Sequence, residues 1–116
     1  MRLMLLGGCL ALAACDGQAW RAGAASRAEE QVRQVVSDPS AQFSRVQVTG
    51  DDRTGQTCGF ASVRTPDGLG HLVRFIVYID ASAGPYVEAG LGRQVLTQDN
   101  FERAWQADCV KEGYDS

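Results

Sequence analysis

The stretch from Gln56 to Asp80 restricts the fold more than any other part of this chain. It reads as a β-hairpin: one strand around Thr57–Arg64, a turn at Thr65-Pro66-Asp67-Gly68, and a return strand over Leu69–Asp80. Pro66 stands where a type I turn favours proline, and Gly68 stands where the chain must re-enter a strand. The return strand holds Leu72-Val73-Arg74-Phe75-Ile76-Val77-Tyr78-Ile79, an apolar run of strand-forming residues. Successive side chains of a strand point to opposite faces. His71, Val73, Phe75, Val77 and Ile79 therefore share one face, which is expected to be the core. Leu72, Arg74, Ile76 and Tyr78 share the other face with Asp80.

The flanking segments supply what packs on this hairpin. Ser26 and Glu29 have capping-box spacing, which predicts a helix starting at Arg27. Ala28, Val32, Val35 and Val36 form its apolar stripe, and Glu29 can pair with Arg33 on the outer face. Ser37-Asp38-Pro39 ends it, and Asp38 is expected to cap a single turn through Ala41. Phe43–Thr49 reads as a first strand, with Val46 and Val48 on one face and Arg45, Gln47 and Thr49 on the other. Gly50–Gly55 and Ala81–Pro85 are turns by composition, and Tyr86–Ala89 is a short edge strand. A second helix is predicted from about Gln98 to Lys111, capped by Thr97 or Asp99, with Phe101, Ala104, Trp105 and Cys109 on one face.

These pieces predict an α+β domain: an N-terminal helix, a three- to four-stranded antiparallel sheet and a C-terminal helix. One or both helices cover the Val73/Phe75/Val77 face. If both do, Leu72, Arg74, Ile76 and Tyr78 stand exposed together as a binding face, since such a patch on a monomer marks a contact site. If the N-terminal helix covers them instead, they are core. Both arrangements fit the sequence.

The N-terminus bears on location. Met1-Arg2 is followed by the apolar run Leu3–Ala14, too short for a spanning helix of about 20 residues but of the form of a secretory signal. Leu12-Ala13-Ala14-Cys15 resembles the lipobox of bacterial lipoproteins. That resemblance implies cleavage before Cys15 and acylation of its sulfur and new amino group. Residues 1–14 are then a signal peptide, 15–25 a lipidated cysteine and tether, and 26–116 the domain. Trp20, within the tether, suits either a membrane interface or the domain surface. Asp16 resembles the inner-membrane retention signal of enteric lipoproteins; inner and outer membrane both stay open. Of the four cysteines, Cys9 leaves with the signal and Cys15 takes lipid. Cys58 and Cys109 remain, and in an exported domain they are expected to join the C-terminal helix to the sheet.

Little in the sequence points to catalysis. The net charge is −3, Lys111 is the sole lysine, and no basic cluster suits nucleic acid. One histidine and two paired cysteines do not make a transition-metal site, and Asp51-Asp52 lacks the spaced oxygens of a calcium loop. No metal or cofactor is expected. Asp38-Pro39-Ser40-Ala41-Gln42-Phe43 followed by Cys58-Gly59 is similar to a group of small bacterial and phage-borne exported proteins with an Asp-Pro-x-x-Ala-x-Phe segment and a Cys-Gly-led hairpin. The chain departs from that group at the hairpin tip, and the resemblance implies a fold without a mechanism. The expectation is a small envelope lipoprotein facing the periplasm, anchored through Cys15, that binds an envelope protein. The alternative is a periplasmic enzyme or enzyme inhibitor with its site near His71 or the Gly90-Leu91-Gly92-Arg93 loop.

Overall fold

The computed structural model describes the backbone of residues 2–91 and 95–115, and the side chains of residues 19–91 and 95–115. Helix α1 (Arg2–Val36) leads into strands β1 (Gln42–Thr49), β2 (Gln56–Arg64), β3 (Gly70–Tyr78) and β4 (Tyr86–Val87). A short helix, α2 (Gln98–Ala104), runs on as a π-helical segment, Trp105–Val110. The strands form one antiparallel sheet in the order β1-β2-β3-β4. The architecture is the expected α+β one, with both edges of the sheet at its sequence ends.

The hairpin forms as its turn residues dictate. Gly68 adopts a φ of 84°, a left-handed conformation that costs glycine nothing. Its amide donates to the Thr65 carbonyl at 2.8 Å, and the Thr65 amide donates back to Leu69 at 3.1 Å. The register then runs unbroken from Arg64↔Gly70 to Gln56↔Tyr78.

The sheet is covered on both faces. Ala28 and Val32 of α1 pack on Ala61, Val63, Val73, Phe75 and Val77, the face expected to be core. Phe101, Trp105 and Cys109 pack on the opposite face, over Cys58 and Ile76. Gly59 is needed between these layers: a Cβ there would lie 3.0 Å from the Phe75 ring and 3.1 Å from the Val46 backbone.

Three local expectations change. The helix does not start at Arg27; α1 is continuous through residues 15–25, the segment read as a tether. Its buried stripe begins one turn earlier, at Ala24, and Arg21 Nη1 donates to the Val48 carbonyl at 2.5 Å. Alanine is the strongest helix former, and the Ala-rich composition here outweighs Gly17 and Gly23. In β1 a bulge between Ser44 and Gln47 adds one residue, with Arg45 at a φ of 53°. Phe43 thereby joins Val46 on the α1 face, which strict alternation would forbid. Finally, β4 stops at Val87 and passes into a 3-10 turn, Glu88–Gly90.

The end of α1 and the start of α2 follow the sequence closely. Ser37 takes a φ of 55° just past α1, and the Asp38 amide donates to Arg33 O at 3.0 Å, closing the helix. Asp38 then caps the next turn, accepting from the Ser40 amide at 3.0 Å and the Ser40 hydroxyl at 2.6 Å. Thr97 caps α2 through the Asn100 amide at 3.1 Å.

Candidate functional site

Of the two arrangements open to Leu72, Arg74, Ile76 and Tyr78, an exposed binding face or a covered core face, the structure shows a face covered over Arg74, Ile76 and Tyr78. The Cys58–Cys109 disulfide, with Cα atoms 6.1 Å apart, holds α2 over that face. Ile76 is fully buried beneath it. The covering element is the C-terminal helix, not the N-terminal one. Leu72 alone stays exposed, because it lies beyond the reach of α2 toward the hairpin tip.

Arg74 is enclosed by two carboxylates and two rings. Its Nη2 donates to Glu88 Oε2 at 2.6 Å and to Glu102 Oε1 at 2.8 Å. Its guanidinium carbon lies 5.3 Å from the Phe101 ring centre and 5.1 Å from that of Trp105. The Arg74 amide also donates to Glu88 Oε1 at 3.1 Å, so this side chain stands in for a strand neighbour where β4 has ended. Hydrogen bonding from Arg74 draws the Glu88 carboxyl down to about 2. It lowers Glu102 too. The Gln98 and Gln106 amides complete the two carboxylates. Arg74 is thus matched by both carboxylates, with Glu88 largely enclosed and Glu102 at the surface.

Tyr78 is half-buried, edge-on to Tyr86 with ring centres 5.9 Å apart, and its hydroxyl donates to Asp108. Burial, followed by the Asp108 contact, raises its pKa. Neither feature makes it a nucleophile or base near neutral pH. His71 sits exposed at the start of β3, with Nε2 4.0 Å from Asp67 Oδ2. Gly90 lies in the 3-10 turn after β4, whereas Gly92 and Arg93 of the same loop lie outside the described residues. Cys15 falls within α1, its side chain likewise outside the described part.

Besides Val95 and Val110, which are exposed elsewhere, one open surface is the hairpin end of the sheet. Leu69 and Leu72 are 62% and 67% exposed there, outside both cores. Beside them lies a polar cleft of about 310 Å³ lined by Asp38, Ser40, Gln42, Ser62, Arg64 and Gly70 among others. The Asp38 carboxylate in its wall is committed, with Oδ1 held by Ser40 and Oδ2 by the Arg64 amide at 2.7 Å. The Ser40 hydroxyl, then the Arg64 amide, keep its pKa below the ordinary value. Asp38 is therefore a clamp between the end of α1 and the end of β2, a role its sequence position only half announced.

The C-terminal tail was absent from the sequence expectations. Tyr114 packs edge-on against Trp105, ring centres 4.8 Å apart, and its hydroxyl donates to the Arg45 carbonyl at 2.9 Å. Asp115 exchanges two hydrogen bonds with the Gln47 side chain. The β1 bulge is what turns the Arg45 carbonyl toward this tail. Among the described residues, no group of three or more His, Cys, Asp or Glu gathers to hold a metal, and no helix is long and apolar enough to cross a membrane. No family model matches the chain, nor does any curated protein or solved structure.

Proposed function

We propose that this chain is a small lipoprotein of the bacterial cell envelope, anchored through Cys15 and facing the periplasm, that acts by binding an envelope protein. The anchor rests on Leu12-Ala13-Ala14-Cys15 behind a charged start and a short apolar run. The binding role is supported by the exposure of Leu69 and Leu72 at the hairpin end of the sheet. Exposed apolar side chains near a polar cleft suit a protein contact that combines apolar burial with polar contacts.

The test is photo-crosslinking in intact cells from position 72, with position 103 on the outer surface of α2 as control. A discrete adduct is expected from 72, absent from 103 and lost in the Leu69→Asp variant. Metabolic labelling with a fatty-acid analogue in the same cells should mark the wild type and not Cys15→Ala, which moves to the soluble fraction. The binding reading fails if 72 and 103 give the same adducts. The anchor reading fails if Cys15→Ala keeps its label and its membrane association.

A further inference from the structure

We infer that the domain is held on the bilayer in one orientation, with the Gly50–Gly55 end of the sheet against the lipid headgroups and the hairpin tip directed away. This rests on the lipid anchor at Cys15 and adds to it which surface meets the membrane.

The first observation is how little chain separates the anchor from the folded body. Arg21 is already fixed to the sheet through Val48 O, and Ala24 is buried. Five residues, 16–20, intervene, and the backbone through them is helical. At 1.5 Å per residue the helix places Arg21 only about 9 Å from Cys15. Even stretched out, that segment spans no more than about 20 Å. The domain therefore has no flexible leash on which to turn over.

The second observation is the direction of α1. Arg21 of α1 lies beside Val48, next to the Gly50–Gly55 loop, and the helix runs from there to Val36, close to Asp38, which clasps Arg64 at the other end of β2. The sheet register puts residues 50–55 and 79–85 together at the first end and the Thr65–Gly68 turn at the second. From residue 56 to residue 64 the strand covers about 26 Å. Anchoring the chain at Cys15, on the Arg21 side of the helix, thus sets the two ends at different heights over the membrane.

Trp20 marks the boundary. It lies about 7.5 Å along the helix from Cys15, close to the depth of one headgroup layer, which is about 5–7 Å. Indole favours that layer. The Arg21 guanidinium stacks 4.7 Å over the Trp20 ring while bonding Val48, so the interfacial residue and the sheet are joined through one side chain.

The test uses the lipidated full chain in phospholipid vesicles that carry a headgroup-labelled acceptor. A fluorophore is placed on Arg53→Cys or on Pro66→Cys; both sites are exposed, and Cys58 and Cys109 are consumed in their disulfide. Energy transfer from position 53 should exceed that from 66, matching a height difference of about 20–25 Å along the strands. Inserting twelve Gly/Ser residues between Gly17 and Gln18 should erase the difference while the protein still floats with the vesicles. Equal transfer from the two sites in the floating wild-type chain overturns the orientation, and a difference that survives the insertion overturns the short stalk as its cause. A wild-type chain that does not float ends the anchor reading, and the orientation with it.

Discussion

Arg74 occupies a position that would otherwise suit an aliphatic residue. Its neighbours on that face of β3 are Ile76 and the ring of Tyr78, and Phe101 and Trp105 lie above it. A guanidinium is tolerated because two carboxylates and two ring faces replace the water it gives up. No spacing in the sequence announced this, since Glu88 and Glu102 arrive from 14 and 28 residues away. The pairing has a definite pH signature. With its pKa lowered from 4.5 to about 2, Glu88 contributes stability that is complete above the ordinary carboxylate value and disappears as pH falls through about 2. Glu88→Gln should cost about 1–3 kcal/mol at neutral pH, between the values for exposed and buried pairs. It should also flatten the fall in melting temperature between pH 4.5 and 2. An unchanged acid profile in the variant would show that Arg74 relies on Glu102 alone.

At the scale of elements, the face that α2 covers is legible in the chain. The turn sets the register of the hairpin, with Arg64 opposite Gly70, so Cys58 falls opposite Ile76. Residues directly opposite each other share a face. A disulfide from Cys58 to the second helix therefore commits that helix to the Ile76 side, not to the side of Val73 and Phe75. The extended start of α1 was equally available, since Ala24 is one turn before Ala28 on the same stripe. The bulge in β1 was not, because Arg45 carries none of the glycine preference of a left-handed position. The covered face gives a direct check. Tyr78 packs on Tyr86 and bonds Asp108, so Tyr78→Ala should cost about 2 kcal/mol, less than the 3–5 of a fully buried ring. Tyr78→Phe, which removes only the hydroxyl, should cost about 1 kcal/mol. A Tyr78→Ala variant with an unchanged melting temperature would return that face to the surface.

For the molecule as a whole, the question is whether its two cores melt together. They lie on opposite faces of one sheet, and β2 alternates between them: Ala61 and Val63 serve the first, Cys58 and Phe60 the second. Neither core can lose its half of β2 or β3 without releasing the other. The tail adds a tie, through Tyr114 and Asp115 to β1. The disulfide, closing a loop of 51 residues, stabilises the fold by about 4 kcal/mol on the chain-entropy estimate. It also reports on this coupling, because both cysteines are fully buried and a reductant must wait for the protein to open. Two openings are available in principle. Either α2 lifts away alone, or the sheet and both helices unfold as a unit. Val32→Ala tells them apart, since Val32 is fully buried on the inner face of α1, on the far side of the sheet from the disulfide. The substitution should cost about 2 kcal/mol. At 1.4 kcal/mol per tenfold, whole-molecule opening then makes reduction about thirtyfold faster. That acceleration is the expected result, measured by trapping free thiols over time in excess reductant. A reduction rate unaffected by Val32→Ala, alongside a lowered melting temperature, would mean that α2 detaches on its own and that the two cores are independent.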